Sequence, residues 1–216
     1  MSGVGAILRD LVFPRRCVIC HRLPERTEPR LCPACAAVLG DPVSGARRGA
    51  YYRRWAAALW YEGAVRESFH RYKFGGCRFY AKTYGPLLAN AIEKQLGVRY
   101  DLMTFIPINA LRRRRRGFDQ TLLLAQEAGR VLGLTPVSTL KKRRRRPQSR
   151  VVSAEERQRN IRGAFWVPNP ALVQGKRILL IDDVLTTGAT VSEASRVLLA
   201  AGAKAVDVAA FAAAVS

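Results

Sequence analysis

Strand-like and helix-like patterns alternate along most of the chain. Short apolar runs with the length of strands recur at residues 55–61, 102–106, 164–167, 177–181 and 205–213. Between several of them, apolar residues return at helical spacing, over residues 65–74, 79–96, 122–132 and 191–198. Runs that are apolar throughout, rather than alternating with polar residues, are typical of parallel strands covered on both faces by helices. The pattern therefore predicts an α/β protein.

The first fifty residues lack this alternation. Residues 36–50 are rich in Gly, Pro, Ser and Arg, a composition that predicts a linker. We therefore divide the chain into a small cysteine-bearing segment at 1–50 and a main domain at 51–216. With 216 residues, of which 49% are hydrophobic, the chain is long enough for one sizeable core and such an appendage.

One stretch, residues 177–190, carries the main candidate chemistry. Its apolar run is closed by Asp182 and Asp183, and the loop Thr186-Thr187-Gly188-Ala189-Thr190 follows. At the carboxyl end of a parallel strand, loop amides and the first turn of the next helix form an anion site. The two carboxylates would repel phosphate, but they can accept hydrogen bonds from sugar hydroxyl groups. The stretch predicts a ligand with a phosphate beside a ribose; the alternative is an ordinary strand, turn and helix.

This stretch closely resembles the phosphoribosyl diphosphate signature of the type I phosphoribosyltransferases. The resemblance implies an α/β fold of that type, with a doubly wound parallel sheet. It implies that Asp182 and Asp183 are catalytic residues, which would hold the ribose hydroxyl groups directly or through Mg²⁺-bound water. It assigns the 5-phosphate to Thr186, Thr187, Gly188, Ala189 and Thr190.

Candidates for the diphosphate side lie before this stretch. Lys73 ends a predicted helix at a glycine turn, and a solvated helix end is the alternative reading of it. Pro107 and Ile108 follow the strand at 102–106, and Arg116 lies further along the same loop. Because the ends of neighbouring parallel strands face one crevice, we expect that loop to meet residues 182–190.

Four N-terminal cysteines form two Cys-x-x-Cys pairs, Cys17 with Cys20 and Cys32 with Cys35. Two such pairs in close succession predict a structural Zn²⁺ site with four thiolate ligands. A redox pair or a site that has lost its metal is the alternative. Disulfides explain the pattern less well in the cytoplasmic protein that we expect, since thiols there stay reduced.

The charge of the chain is strongly positive. Its 37 Lys and Arg residues exceed its 16 acidic residues, for a formal net charge of +21, and two basic runs occupy residues 112–116 and 141–146. Such a chain attracts polyanions, and Phe118 lies beside one run, which favours single-stranded DNA as a partner. The alternative is that both runs are solvated loops. No apolar run is long enough to cross a bilayer, and no signal peptide is predicted because Arg9 and Asp10 interrupt the N-terminal apolar stretch.

Nearly the full chain resembles one branch of these transferases, the competence protein F family. The matching blocks are the N-terminal cysteines, which match its zinc ribbon, and Tyr61-Glu62-Gly63-Ala64-Val65-Arg66, Lys73-Phe74-Gly75, Arg116-Gly117-Phe118-Asp119-Gln120, Gln148, Arg157, Asn160 and Gly163-Ala164-Phe165. The family often has His where this chain has Asn109, and Asn where it has Asp119.

The resemblance implies a protein of natural competence, acting in DNA uptake or transformation, that binds phosphoribosyl diphosphate with Mg²⁺. Three hypotheses follow for its activity. The chain transfers ribose 5-phosphate to an unidentified acceptor, with nucleotide salvage as one variant. Alternatively, it binds single-stranded DNA without turnover. In the third hypothesis, its zinc ribbon docks a competence or recombination protein.

Overall fold

The computed structural model describes residues 16–23, 30–45, 51–97, 99–109, 113–114, 116–143 and 161–214. The helices are α1 (Pro33–Val38), α2 (Gly63–Phe74), α3 (Ala81–Gln95), α4 (Gln120–Leu132) and α5 (Ala189–Ala200). The strands are β1 (Val43–Gly45), β2 (Trp55–Trp60), β3 (Leu102–Phe105), β4 (Lys141–Lys142), β5 (Phe165–Trp166), β6 (Arg177–Leu185) and β7 (Ala205–Ala213). Short 3₁₀ turns occur at Arg78–Tyr80 and Pro170–Leu172.

Five of the strands form one sheet in the order β1-β2-β7-β6-β3. The four strands from β2 to β3 are parallel, and only the edge strand β1 runs antiparallel to its neighbour. β6 and β7 lie inside the sheet, and both are almost wholly buried. Strands β4 and β5 form a separate antiparallel hairpin. The predicted α/β fold with a parallel sheet is confirmed.

The two faces of the sheet have separate hydrophobic cores. Along β6, Leu179 and Ile181 point into the core formed with α2, α3 and α4, whereas Ile178 and Leu180 point into the core formed with α5 and the β4–β5 hairpin. This alternation follows from the pleat of a strand, in which successive side chains leave opposite faces. It also fixes on which side each later residue of β6 emerges.

Helices α3 and α4 approach each other very closely. A Cβ atom added at Gly85 would lie 2.3 Å from the Cβ of Glu127, so only glycine fits there. The next residue, Pro86, is accommodated within α3, which continues on both sides of it. This contact holds α3 and α4 together on the face of the sheet toward which Leu179 and Ile181 point.

The structure corrects three predictions. The linker predicted over residues 36–50 is wrong for its described part, because α1 extends to Val38 and Val43–Gly45 pairs with β2. The carboxylates do not close β6, which continues through Val184 and Leu185 paired with β7. The second basic run was predicted as a polar loop, but Lys141 and Lys142 pair with β5.

Several sequence features lie outside the described residues. They include the rest of that basic run at 144–146 and the family positions Gln148, Arg157 and Asn160. Among the helices that are described, none has the length and apolar character needed to cross a membrane.

Candidate functional site

The acidic pair of β6 sits at the carboxyl edge of the sheet, with one member on each face. By the alternation along β6, Asp183 emerges on the side of Ile181 and the α2–α4 core, and Asp182 on the side of Leu180 and α5. The two carboxylates are therefore neighbours in sequence with different surroundings. Asp182 is buried and Asp183 is half-buried.

Asp183 is held by two side chains from the helices of its face. Lys73, near the end of α2, places Nζ 2.9 Å from Asp183 Oδ2, and both side chains are mostly buried. Gln120, the first residue of α4, donates from Nε2 to the same oxygen at 3.0 Å. The Lys73 ammonium also lies 4.7 Å from the centroid of the Phe69 ring. These two contacts hold the Asp183 carboxylate in one orientation.

Asp182 has no such cation beside it. Within the described structure, its carboxylate accepts one hydrogen bond, from the backbone amide of Asp183 at 2.7 Å. Burial, and then the neighbouring charge of Asp183, raise the pKa of Asp182 to about 8, while Lys73 and Lys142 oppose that rise. Asp182 is therefore more readily protonated near neutral pH than an exposed carboxyl group.

The threonine loop follows β6 directly and begins α5. Gly188 is the N-terminal cap of α5 in a left-handed conformation, with φ of 71°, which is favourable only for glycine. The cap residue itself offers no side-chain acceptor, and the Ala189 amide makes only a long contact of 3.4 Å to Thr187 Oγ1. The hydroxyl groups of Thr186 and Thr187 are exposed beside this helix start. Such a helix start, with hydroxyl donors around it, suits a phosphate.

The loop after β3 lies next to the acids, as expected. The amide of Ile106 donates to Ile181 O at 2.9 Å, which extends the pairing of β3 with β6 to the residue before Asp182. Pro107 and Ile108 follow and are half-buried. The Ile108 amide makes a long contact of 3.5 Å to Asp119 Oδ2.

Asp119 starts α4 at the base of this loop. Its Oδ1 accepts from the amides of Thr121 and Leu122, each at 3.1 Å, so it caps the helix. Burial raises the pKa of Asp119, while these backbone bonds oppose the rise. An acid therefore serves here as a structural cap at the position where the family often has Asn.

Arg116 lies beside the residue that follows Lys73. Its guanidinium is 4.7 Å from the centroid of the Phe74 ring, and that ring is 61% exposed. The structure thus joins Lys73 directly to Asp183 and brings the loop at Pro107 and Ile108 alongside β6, whereas Arg116 is linked to Lys73 only through the neighbouring Phe74.

Sequence reasoning missed two residues that build this site. In the sequence, Gln120 stands out only as part of a family block, and no motif marks Tyr72. Burial and the nearby charge of Asp183 raise the pKa of Tyr72, so its hydroxyl stays protonated and donates to Gln120 O at 2.8 Å. The weak sign of them in the sequence is position: Tyr72 directly precedes Lys73, and Gln120 directly follows Asp119.

The four cysteines form a second site, apart from the acids. The sulfur atoms of Cys17, Cys20, Cys32 and Cys35 lie within 4.8 Å of one another, and none forms a disulfide. Sulfur atoms around a tetrahedral Zn²⁺ are about 3.8 Å apart, and Cys20 and Cys32 have that separation of 3.8 Å. The donor set and its spacing fit zinc.

The first cysteine pair is fastened to α2. Arg71 donates from Nη2 to Ile19 O at 2.6 Å and to Val18 O at 3.2 Å. Ser68 also donates to Val18 O and contacts the hydroxyl of Tyr84. Since α2 also carries Lys73, one helix joins the cysteine cluster to the acidic pair.

Comparison with known proteins agrees with this geometry. Residues 120–216 match the family model of the phosphoribosyl transferase domain. The chain is 31% identical over 205 residues to DNA utilization protein YhgH of Escherichia coli strain K12, covering 89% of this chain and 87% of that protein. It is 31% identical over 148 residues to competence protein ComFC of Streptococcus pneumoniae, covering 68% of this chain and 63% of that protein.

Two further matches are more partial. Competence protein F of Haemophilus influenzae is 32% identical over 105 residues, covering 48% of this chain and 46% of that protein. Among solved structures, glutamine phosphoribosylpyrophosphate amidotransferase from B. subtilis has a TM-score of 0.43 and 23% identity, covering 62% of this chain and 26% of that chain.

Proposed function

We propose that this chain, which belongs to the competence protein F family, binds phosphoribosyl diphosphate with Mg²⁺ at the carboxyl edge of its sheet. The observation that carries the proposal is the position of the acidic pair: one buried acid and one oriented acid lie near the end of β6, and the loop that follows leads into a helix start whose cap residue offers no side chain. Sugar hydroxyl groups suit the acids, and a 5-phosphate suits the helix start. The names of its relatives, DNA utilization protein and competence protein, support a role in DNA use during natural competence.

In this proposal, each group has a separate task. Asp183 accepts hydrogen bonds from the ribose diol, and Asp182 joins it once ionised. The amides of residues 188–190 and the hydroxyl groups of Thr186, Thr187 and Thr190 bind the 5-phosphate. Lys73, Arg116 and the loop at Pro107 and Ile108 attract the diphosphate. Asp182 and Asp183 would hold Mg²⁺ directly or through water, and the ion would supply positive charge against the diphosphate.

Transfer of the pentosyl group is the reaction that such a site would support. As the bond from ribose C1 to diphosphate breaks, negative charge grows on the leaving group, and Lys73 and Arg116 stabilise it. Nothing in the described site resembles a pocket for a particular base, so the acceptor remains open. Release of diphosphate during a screen of acceptors would establish turnover, whereas its absence across the screen would favour binding alone.

Calorimetric titration of phosphoribosyl diphosphate in excess Mg²⁺ tests the binding proposal. We expect Asp183→Asn to weaken binding by about a hundredfold, because it removes a charged acceptor from the sugar. Asp41→Asn is the matched control, since that carboxylate is 91% exposed. Absence of binding by the parent chain, or equal binding by Asp183→Asn, would refute the proposal.

For the cysteine cluster we propose a structural Zn²⁺, and a reducing cytoplasm as the setting that keeps its thiols available. We expect the purified chain to contain one equivalent of zinc. Cys35→Ser should lose it, and Cys77→Ser should retain it, because Cys77 lies outside the cluster. Equal zinc content in the two variants would contradict the site.

Single-stranded DNA is the second candidate ligand, favoured by two exposed rings with arginines over them. Phe74 is paired with Arg116, and Trp166 is paired with Arg143 at 5.9 Å. Phe118, the ring expected from the sequence, instead packs against Tyr72. Stacking on exposed rings beside cations is typical of single-strand binding.

Titration of labelled single-stranded DNA at two salt concentrations tests this candidate. We expect Trp166→Ala and Phe74→Ala each to weaken binding about tenfold at low salt. Tyr51→Ala removes an exposed ring outside both pairs and should have little effect. An equal loss in all three variants would leave only non-specific charge attraction.

A further inference from the structure

Gln120 makes an unusual pair of contacts in the candidate site. It is 3% exposed, and its Nε2 donates to Asp183 Oδ2 at 3.0 Å. A carboxylate can only accept hydrogen bonds, so this contact fixes the orientation of the amide group. The NH₂ end faces Asp183, and the carbonyl end, Oε1, is left to face something else.

That carbonyl oxygen has no partner. Among the described residues, Gln120 Oε1 is one of three buried side-chain polar atoms without a hydrogen bond. Buried acceptors are nearly always satisfied, because leaving one unpaired costs the hydration it had in the unfolded chain. This amide donates to a carboxylate and still has an unpaired acceptor oxygen, which suits a ligand that brings a hydrogen-bond donor.

The backbone of Gln120 is also held in place. The Tyr72 hydroxyl donates to Gln120 O at 2.8 Å, and Asp119 caps the helix turn that Gln120 begins. Tyr72 directly precedes Lys73, whose ammonium contacts the same oxygen of Asp183. The two groups that orient Asp183 are therefore tied to each other through α2 and α4, as expected of a preorganised site rather than a fortuitous contact.

We propose that Gln120 is a specificity residue for the sugar: its Nε2 orients Asp183, and its Oε1 accepts a hydrogen bond from a pentose hydroxyl group. The inference rests on the proposed function, because it places the pentose against Asp183. Hydroxyl groups are the hydrogen-bond donors that a phosphorylated pentose offers. Gln120 thereby extends recognition of the sugar beyond the acidic pair.

Binding of simple sugar phosphates tests this role without requiring turnover. Ribose 5-phosphate and its 2-deoxy and 3-deoxy analogues are titrated, with Mg²⁺ constant, into the parent chain, Gln120→Met and the control Gln126→Met. Gln126 lies on the exposed side of the same helix. We expect the parent and the control to prefer ribose 5-phosphate over at least one analogue by about tenfold, the worth of one hydrogen bond to a buried acceptor.

Gln120→Met should lose most of that preference, and it should weaken ribose 5-phosphate more than the disfavoured analogue, because it removes Oε1 as well as the donor to Asp183. Gln120→Glu keeps an acceptor oxygen, so it should retain the preference even though its charge weakens all three ligands; it also serves if Gln120→Met does not fold. Equal weakening of all three sugars by Gln120→Met, or loss of the preference in Gln120→Glu, would overturn the inference alone. Failure of the parent to bind any of them would overturn the proposed function as well.

Discussion

Two buried aspartates lie near opposite ends of the central strands, and their hydrogen-bond partners differ greatly. Asp207, near the start of β7, accepts from Arg53 at 3.1 and 2.8 Å, from Arg54 at 3.1 Å and from the Tyr100 hydroxyl at 3.0 Å. Asp182, near the end of the adjacent β6, accepts only a backbone amide within the described structure. Both carboxylates are shielded from water, yet only one is neutralised.

The difference separates a structural charge from a site held ready for a ligand. Around Asp207, two guanidinium groups and a hydroxyl replace the lost hydration, so the ion pair ties residues 53–54 to β7. At Asp182, burial and a second acid favour protonation instead. A buried carboxyl group beside a second acid, with no cation against it among the described residues, fits the proposed binding of a metal ion or sugar.

The comparison predicts opposite effects of the same substitution on stability. Asp207→Asn should lower the free energy of unfolding by about 3 kcal/mol, because it leaves two arginines facing a neutral group, and the melting temperature should fall by about 6–12 °C. Asp182→Asn should leave melting at pH 8 unchanged or raise it, since a neutral amide replaces an unfavourable charge. Similar losses in both variants, measured by thermal unfolding, would erase the distinction.

Lys73→Met should show the reverse balance, with a large effect on the ligand and a small one on the fold. We expect about tenfold weaker binding of phosphoribosyl diphosphate, because both the partner of Asp183 and a cation for the diphosphate are lost. Melting should change by less than about 3 °C. Lys94→Met is the control, since its ion pair with Asp41 is 3.6 Å long and exposed. Weakening of equal size in the control would refute a specific role for Lys73.

The pH dependence of stability sharpens the comparison further. The pKa of Asp182 is raised by folding, so its contribution is full at low pH and is lost as pH rises toward about 8. Between pH 5 and 8, the parent should therefore lose at least about 1.4 kcal/mol more than Asp182→Asn, or about 3–6 °C in melting temperature. Parallel curves for the two proteins would show that Asp182 is ionised throughout.

Local patterns in the sequence predicted those elements and site residues that depend only on residues adjacent in the chain. β7 has the predicted bounds, Ala205–Ala213, because a long apolar run buried on both faces has few alternatives. The acidic pair and the threonine loop are likewise contiguous. Family membership and the fold could be predicted because the motifs that indicate them are contiguous in the sequence.

Features that depend on distant partners were missed. β1 has three residues and no periodicity, and it becomes a strand only because β2 offers an edge. β6 passes its acids because Val184 and Leu185 find Ala212 and Ala213 on β7. Gln120 gains its importance from Asp183, 63 residues later. Contacts of this kind are decided by tertiary packing, and local sequence patterns carry at most a weak sign of them.

Proton release on binding tests the central claim most directly. Phosphoribosyl diphosphate and Mg²⁺ are titrated into the parent chain calorimetrically, in buffers of different ionisation enthalpy, at pH 7 and at pH 9. If Asp182 holds a proton until the ligand arrives, binding at pH 7 should release about one proton more than binding at pH 9, where the acid is already ionised. The same proton count at both pH values would contradict the account.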